Sequence, residues 1–165
     1  IAYPGCIAEN EVALQLHGDA QMIGWDILAL GLPASDAAFD AGVFTQRLSW
    51  PGHWLEHGRI DARDALLRHS RLGLAGHPVL ATMWLASATP LPVAQIDALL
   101  DAARDASAKE EALMAGSTAP QPRLVLLRVL APQVESALRL LKAVRAAWRD
   151  QAWGLPANEP RVWRS

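Results

Sequence analysis

Two segments constrain this chain more than any other feature. Residues 78–87 are apolar on both faces of a strand-length run. Residues 123–130 repeat the pattern, with Leu124, Leu126 and Leu130 on one side and Val125, Leu127 and Val129 on the other. A strand sends successive side chains to opposite faces, so a run that is apolar on both must be covered on both. Each run leads into a helical pattern. After Pro92, the residues Val93, Ile96, Leu99, Leu100 and Ala103 form one stripe at helical spacing, and Pro92 suits the helix start, where its missing N–H does no harm. A polar interval at residues 105–111 predicts an end near Ala106, and Gly116 with residues 117–120 closes the region. Pro132 opens a second helix, whose buried stripe is Val134, Leu138, Leu141, Val144 and Trp148. Arg139, Lys142, Arg145 and Arg149 follow an adjacent face, read as a solvated helix face and a candidate partner surface. Gly154-Leu155-Pro156 stops this helix.

The chain before these elements reads as strands and turns. Residues 11–16 alternate loosely and Gly18-Asp19 is a turn signal. Residues 21–30 place Trp25, Ile27 and Ala29 on one face and Asp26, Leu28 and Leu30 on the other. Being apolar on nearly both faces, this strand is expected to be central in its sheet. Gly31-Leu32-Pro33 ends it. Val43–Trp50 puts Phe44, Leu48 and Trp50 on one face with Gln46 between them, while Thr45, Arg47 and Ser49 face the other way. Pro51-Gly52 then turns the chain into a returning strand at 53–61, through a loop expected to exceed two residues. The fold class is therefore α+β: mainly antiparallel β-sheet layers with a C-terminal strand–helix–strand–helix region. A β-rich region, 1–90, precedes a helical region, 91–165, with one buried strand. The final unit is compatible with a right-handed parallel crossover.

Composition narrows the function classes. Of 165 residues, 52% are hydrophobic and 19% charged, a globular balance, and the formal net charge is −2. That charge gives no electrostatic footprint for nucleic acid or an anionic membrane, so neither is expected as a partner. No apolar run is long enough to span a bilayer. Cys6, the single cysteine, has no internal disulfide partner, so a reducing, cytoplasmic setting is expected. The chain starts at Ile1, which reads as a later portion of a longer protein.

No catalytic constellation stands out. His17, His53, His57, His69 and His77 are scattered. His53 and His57 have helical i, i+4 spacing but a strand context, where they would stand roughly 13 Å apart, too far to share one ion. His69 and His77 flank a loop containing Gly73 and Gly76 that lacks any phosphate-binding spacing. Ser35 stands beside Asp36, a pairing typical of turns. Asp26 is more informative, because a carboxylate inside an apolar strand requires hydrogen bonds or a countercharge. It reads as the lining of a polar site, as half of a structural ion pair with Arg47, or as an Asp that simply faces solvent. Three of the seven tryptophans, namely Trp54, Trp153 and Trp163, fall in weakly patterned segments and lean towards partner binding. One alternative on these residues alone is a small α+β enzyme using Asp26 or Ser35 with a loop histidine.

Taken together, four motifs in order resemble one family. Residues 24–35 are similar to G-W-[DE]-x-x-x-L-G-x-P-A-S, carried by Gly24, Trp25, Asp26, Gly31, Pro33 and Ser35, with Leu32 departing from the Arg of many members. Residues 42–48 are similar to G-x-x-x-Q-R-L through Gln46 and Arg47. Residues 76–82 match G-x-P-V-x-x-T through Gly76 and Pro78. The ending, with Arg161 and Trp163, is similar to P-R-[IV]-W-R-[ST]. The chain thus resembles the C-terminal portion of the UreD (UreH) urease accessory proteins, which usually carry further residues, mostly strands, before this region. The resemblance implies a non-enzymatic scaffold that binds apo-urease and a UreF-type partner, itself carrying a UreG-type GTPase, during nickel delivery. It implies no tightly bound cofactor, only transient Ni²⁺, with Asp26 as a candidate lining residue of a nickel passage.

Overall fold

The two doubly apolar segments are the inner strands of one sheet, and the remaining elements cover its two faces. The computed structural model describes residues 1–164. In chain order the elements are β1 (Ile7–Ala13), β2 (Gln21–Ala29), the short β3 (Gly31–Leu32), a 3-10 turn (Pro33–Ser35), β4 (Ala37–Ala38), β5 (Val43–Trp50) and β6 (Trp54–Asp61). Then follow α1 (Ala65–His69), β7 (Val79–Ser87), α2 (Val93–Ser107), β8 (Met114–Gln121), β9 (Leu124–Ala131), α3 (Val134–Trp153) and a closing 3-10 turn (Arg161–Arg164). A four-stranded sheet has the order β2-β7-β9-β8, with every neighbour antiparallel. A three-stranded sheet has the order β1-β5-β6, with β1 parallel to β5 and β5 antiparallel to β6.

The two long helices, α2 and α3, occupy one face of the larger sheet. Met83, Leu85, Val125, Leu127 and Val129 meet Leu99, Ala103, Leu140, Leu141, Val144 and Trp148 in one cluster. Trp148 is fully buried, and its indole N–H donates to the Leu99 carbonyl at 2.8 Å. A buried indole needs such a partner, and this bond locks α3 to α2. Gly154 ends α3 in the left-handed conformation. The smaller sheet covers the opposite face, completing a β–β–α stack. Its contact with the larger sheet is divided between two apolar clusters. One joins Leu28 and Leu30 to Phe44, Ile60 and Leu74; the other joins Leu48 and Trp50 to Trp84, Leu124 and Leu126.

Several expectations are corrected. The first strand is Ile7–Ala13, earlier than the loose alternation at 11–16. β2 lies at an edge of its sheet, so it is covered on both faces without being central: α3 and the smaller sheet supply the cover. Residues 114–121 form a strand where turn residues predicted an end, and Pro120 is tolerated because β8 is an edge strand. β7 and β9 are antiparallel neighbours, so no direct parallel crossover joins them. β8 and β9 make a hairpin, and the last region runs strand–helix–strand–strand–helix. The larger sheet draws strands from both sides of residue 90. In α3, Leu140 takes the deep position expected of Leu138, which is half-buried. The β5–β6 loop does exceed two residues, as expected, with three between paired Trp50 and Trp54. His53 N–H bonds the Trp50 carbonyl at 2.9 Å, with Gly52 at φ 77°, as a type II turn after proline requires.

Candidate functional site

Between the two apolar clusters the inter-sheet layer turns polar along one line. In the larger sheet the register aligns Asp26, Thr82, Arg128 and Gly116 on β2, β7, β9 and β8. In the smaller sheet it aligns Asn10, Gln46 and Gly58 on β1, β5 and β6. Side chains two residues away on the same faces, such as Leu28, Phe44, Leu48 and Leu126, belong to the flanking clusters. Strand alternation therefore aims this row into the layer, and it crosses the sandwich from edge to edge.

Asp26 sits near one end. Its Oδ1 accepts from Asn10 Nδ2 at 3.0 Å and its Oδ2 from Gln46 Nε2 at 2.5 Å. Two amides thus solvate the carboxylate without neutralising it. The expected ion pair with Arg47 does not form: Arg47 lies on the other face of β5 and pairs with Glu11 at 3.3 Å, as its alternation with Gln46 demands. Towards the other edge, Glu56 Oε2 accepts from Arg128 Nε at 3.1 Å and Nη2 at 2.6 Å, while Oε1 faces Thr82 Oγ1 at 3.4 Å. A cavity of about 340 Å³ is lined by Asp26, Gln46, Glu56, Thr82 and Arg128 among others. Its side-chain donors are carboxylate, amide and hydroxyl oxygens, with the Met114 thioether also in the lining. Among the described residues no cluster of three or more His, Cys, Asp or Glu could hold a metal ion. Oxygen ligands of this kind hold late transition-metal ions more weakly than imidazole or thiolate does.

The family-motif residues gather in three places. Asp26 and Gln46 join in the polar row. Gly24 lies next to it, where a Cβ would stand 2.6 Å from the Trp84 ring, so no larger residue fits without a shift. Pro33, Gly76 and Pro78 line a second cavity of about 300 Å³ together with Asp36, Arg68, His69 and His77; Gly31 pairs with Ala38 beside it. Trp25, on the helix side of β2, meets Trp163 at 4.8 Å between ring centroids. Arg161 is exposed at the start of the closing turn, and Ser165, the last residue of the ending motif, lies outside the described residues.

In the cationic row of α3, Arg139 pairs with Glu110 at 3.0 Å and the other three cations engage the chain's own tail. Lys142 contacts Glu159 and the Trp163 carbonyl, both at 3.3 Å, and Arg145 bonds the Asn158 carbonyl at 3.0 Å while lying over the Trp163 ring. Arg149 reaches the Pro156 carbonyl at 3.4 Å. The three tryptophans that leaned towards partners also find contacts within the chain. Trp54 packs on Trp84, and Trp153 donates to Gln21 Oε1 at 2.7 Å, as Trp163 meets Trp25. The histidines and Asp26 of the enzyme alternative are not brought together. His69 and His77 line the second cavity, Asp26 lines the inter-sheet one, and Ser35 is exposed and lines neither. His53 and His57 are exposed on the β5–β6 hairpin.

Sequence reasoning found Asp26 but missed Asn10, Glu56, Thr82 and Arg128. A signal existed for two of them. Thr82 and Arg128 are polar interruptions of the two doubly apolar strands, and register sets them opposite each other.

Comparison with known proteins gives one consistent result. A family profile described as "UreD urease accessory protein" matches residues 1–164. Proteins named urease accessory protein UreD are similar to this chain. That of Leptothrix cholodnii is 51% identical across 100% of the chain and 60% of its own length. That of Paracidovorax citrulli is 48% identical, and that of Variovorax paradoxus 47%, each across 99% of the chain and 59% of its own length. The chain thus spans about 60% of the length of these curated relatives.

Proposed function

The chain belongs to the UreD family of urease accessory proteins, and from that premise we propose that it acts in urease maturation as a scaffold, not an enzyme. In this reading it binds apo-urease and a UreF-type partner that carries a UreG-type GTPase, and it assists passage of Ni²⁺ to the urease active site. Nickel is cargo here, held transiently. The setting is the cytoplasm, in keeping with the unpaired Cys6. Among the described residues, no helix is long and apolar enough to cross a membrane.

The single observation that supports nickel transit is the polar row through the inter-sheet layer, in which Asp26 accepts hydrogen bonds from the neutral amides of Asn10 and Gln46. A passage for a hydrated dication needs oxygen donors in series and no deep binding site, since a tight site would retain the cargo. A carboxylate held by neutral donors keeps its charge for a passing ion.

The test uses the full-length protein with a UreF-type partner and apo-urease on a sizing column. Co-elution of all three is expected, and elution of the protein apart from both would refute the scaffold reading. Asp26→Asn keeps the side-chain shape and removes the charge. It is expected to leave co-elution intact and to lower the nickel content of the matured urease severalfold. Unchanged nickel content with an intact complex would refute the transit role of Asp26.

A further inference from the structure

We infer that Arg128 is the resident counter-ion of the inter-sheet cavity and gates it, its guanidinium occupying the position on Glu56 that an incoming divalent cation must take. This rests on the transit reading of the same cavity and adds how that cavity is regulated.

The two carboxylates lining the cavity are held in opposite ways. Among the described residues Asp26 receives only neutral amide donors, whereas one oxygen of Glu56 receives both Nε and Nη2 of Arg128. Asp26 and Arg128 stand at the same register level, two strands apart, which is about 10 Å at the spacing of neighbouring strands. With Arg128 seated, the lining groups Asp26, Glu56 and Arg128 sum to one negative charge; with it withdrawn they sum to two. The second state matches a dication and the first does not. A guanidinium stays protonated at any physiological pH, so the site opens only by exchange of one cation for another.

The surroundings leave room for that exchange. The Arg128 side chain is 49% exposed and that of Glu56 29%, so the pair sits at the open end of the cavity. The neighbouring positions in the row are Gly58 and Gly116, where an added Cβ would meet nothing within 4 Å. Arg128 can therefore swing outward without displacing packed atoms. At the same distance a doubly charged ion is attracted to Glu56 about twice as strongly as a singly charged one, so it displaces the guanidinium where a monovalent ion does not.

The test is equilibrium dialysis of Ni²⁺ against the full-length protein in complex with its UreF-type partner, with folding checked by thermal melting. Arg128→Gln is expected to tighten nickel retention about tenfold, the order of effect of removing one nearby like charge at a half-exposed site. The double variant Glu56→Gln with Arg128→Gln is expected to return to wild-type retention, because the freed ligand is gone. Arg128→Lys preserves the charge and is expected to stay within twofold of wild type. Unchanged retention in a folded Arg128→Gln variant overturns the gate, as does a gain that survives in the double variant, or a tenfold gain in Arg128→Lys. Should Arg128→Gln fail to fold, Arg128→Met, which keeps the aliphatic stem and removes the charge, replaces it with the same expected tenfold gain, and unchanged retention in that folded variant overturns the gate. Failure of the transit reading looks different: the urease nickel content then ignores Asp26→Asn, whatever the dialysis reports.

Discussion

Gly24→Ala tests the packing that brings the polar row and the apolar layer together. A Cβ at Gly24 would lie 2.6, 2.7 and 2.8 Å from Cζ2, Cε2 and Nε1 of Trp84. These are ring atoms of a side chain that is only 3% exposed and packs against Trp54. The clash cannot be relieved by a flexible chain end, so Trp84 must shift or the two strands must separate. Overpacking of this kind costs about 1–3 kcal/mol, and the rigid partner favours a value of about 2. Trp84→Phe makes the test sharper, because it withdraws ring atoms from the contested space. That change sacrifices no hydrogen bond, since Trp84 Nε1 is buried without a partner among the described residues. Alone it should cost about 1–2 kcal/mol through lost packing. In the double variant the methyl group added at position 24 should occupy the vacated volume, so the combined loss falls at least about 1 kcal/mol below the sum. The assay is chemical denaturation of the full-length protein followed by far-ultraviolet circular dichroism. Additivity within about 0.5 kcal/mol would refute the steric account of Gly24.

Two further outcomes are expected. Trp163→Ala removes an aromatic contact with Trp25 and a guanidinium stacked at 4.8 Å from the ring; denaturation of the full-length protein should show a loss of about 1–2 kcal/mol, and a loss below about 0.3 kcal/mol would mean the tail is not docked in solution. The Arg63 backbone N–H, at 3.0 Å, and the neighbouring Arg63 and Arg59 charges hold the Asp61 carboxyl below the usual carboxylate range despite some desolvation. Its stabilising contribution is therefore complete above the unfolded-state pKa and disappears as pH falls through the lower folded-state value. Asp61→Asn should flatten that acid limb in thermal melts at low ionic strength, and identical limbs in the two proteins would contradict the assignment.

What could be read from the sequence was whatever depended on local pattern. The doubly apolar runs declared themselves as β7 and β9, the Val43–Trp50 alternation as β5, and the capped stripe at 134–148 as α3, because each signal repeats several times within one element. Met114–Gln121 was hidden because its residues after Met114 are small, polar or proline. A strand of that composition is stable only through pairing with Leu124–Ala131, which local pattern does not reveal. The edge position of β2 was hidden for a related reason. Coverage by α3 and by a second sheet produces the same apolar pattern as coverage by neighbouring helices on a central strand. The site was half legible: Asp26 stood out as a charge in an apolar run, but its partners came from strands 16 and 20 residues away in sequence. Arg47 was the wrong neighbour by one residue, which in a strand means the wrong face.

The polar row also has a structural consequence, and that consequence separates cleanly from transit. A row of hydrogen-bonded side chains between two apolar clusters fixes how the sheets slide over each other, because a two-residue slip of the smaller sheet would set Asp26 against Phe44 or Leu48. Such networks specify alignment while adding little net stability, and well-packed apolar replacements can equal them. If alignment were the only role, any substitution in the row should lower nickel delivery in proportion to the stability it removes. Transit makes the two readouts diverge. Asp26→Asn keeps the shape and lets the amides of Asn10 and Gln46 reorient, so it should cost only about 1 kcal/mol while removing the charge on which the proposed transit depends. Asp26→Leu together with Gln46→Leu should restore stability by replacing polar contacts with apolar ones, and should still abolish delivery. Delivery that recovers along with stability in that double variant would leave the row with alignment as its only role.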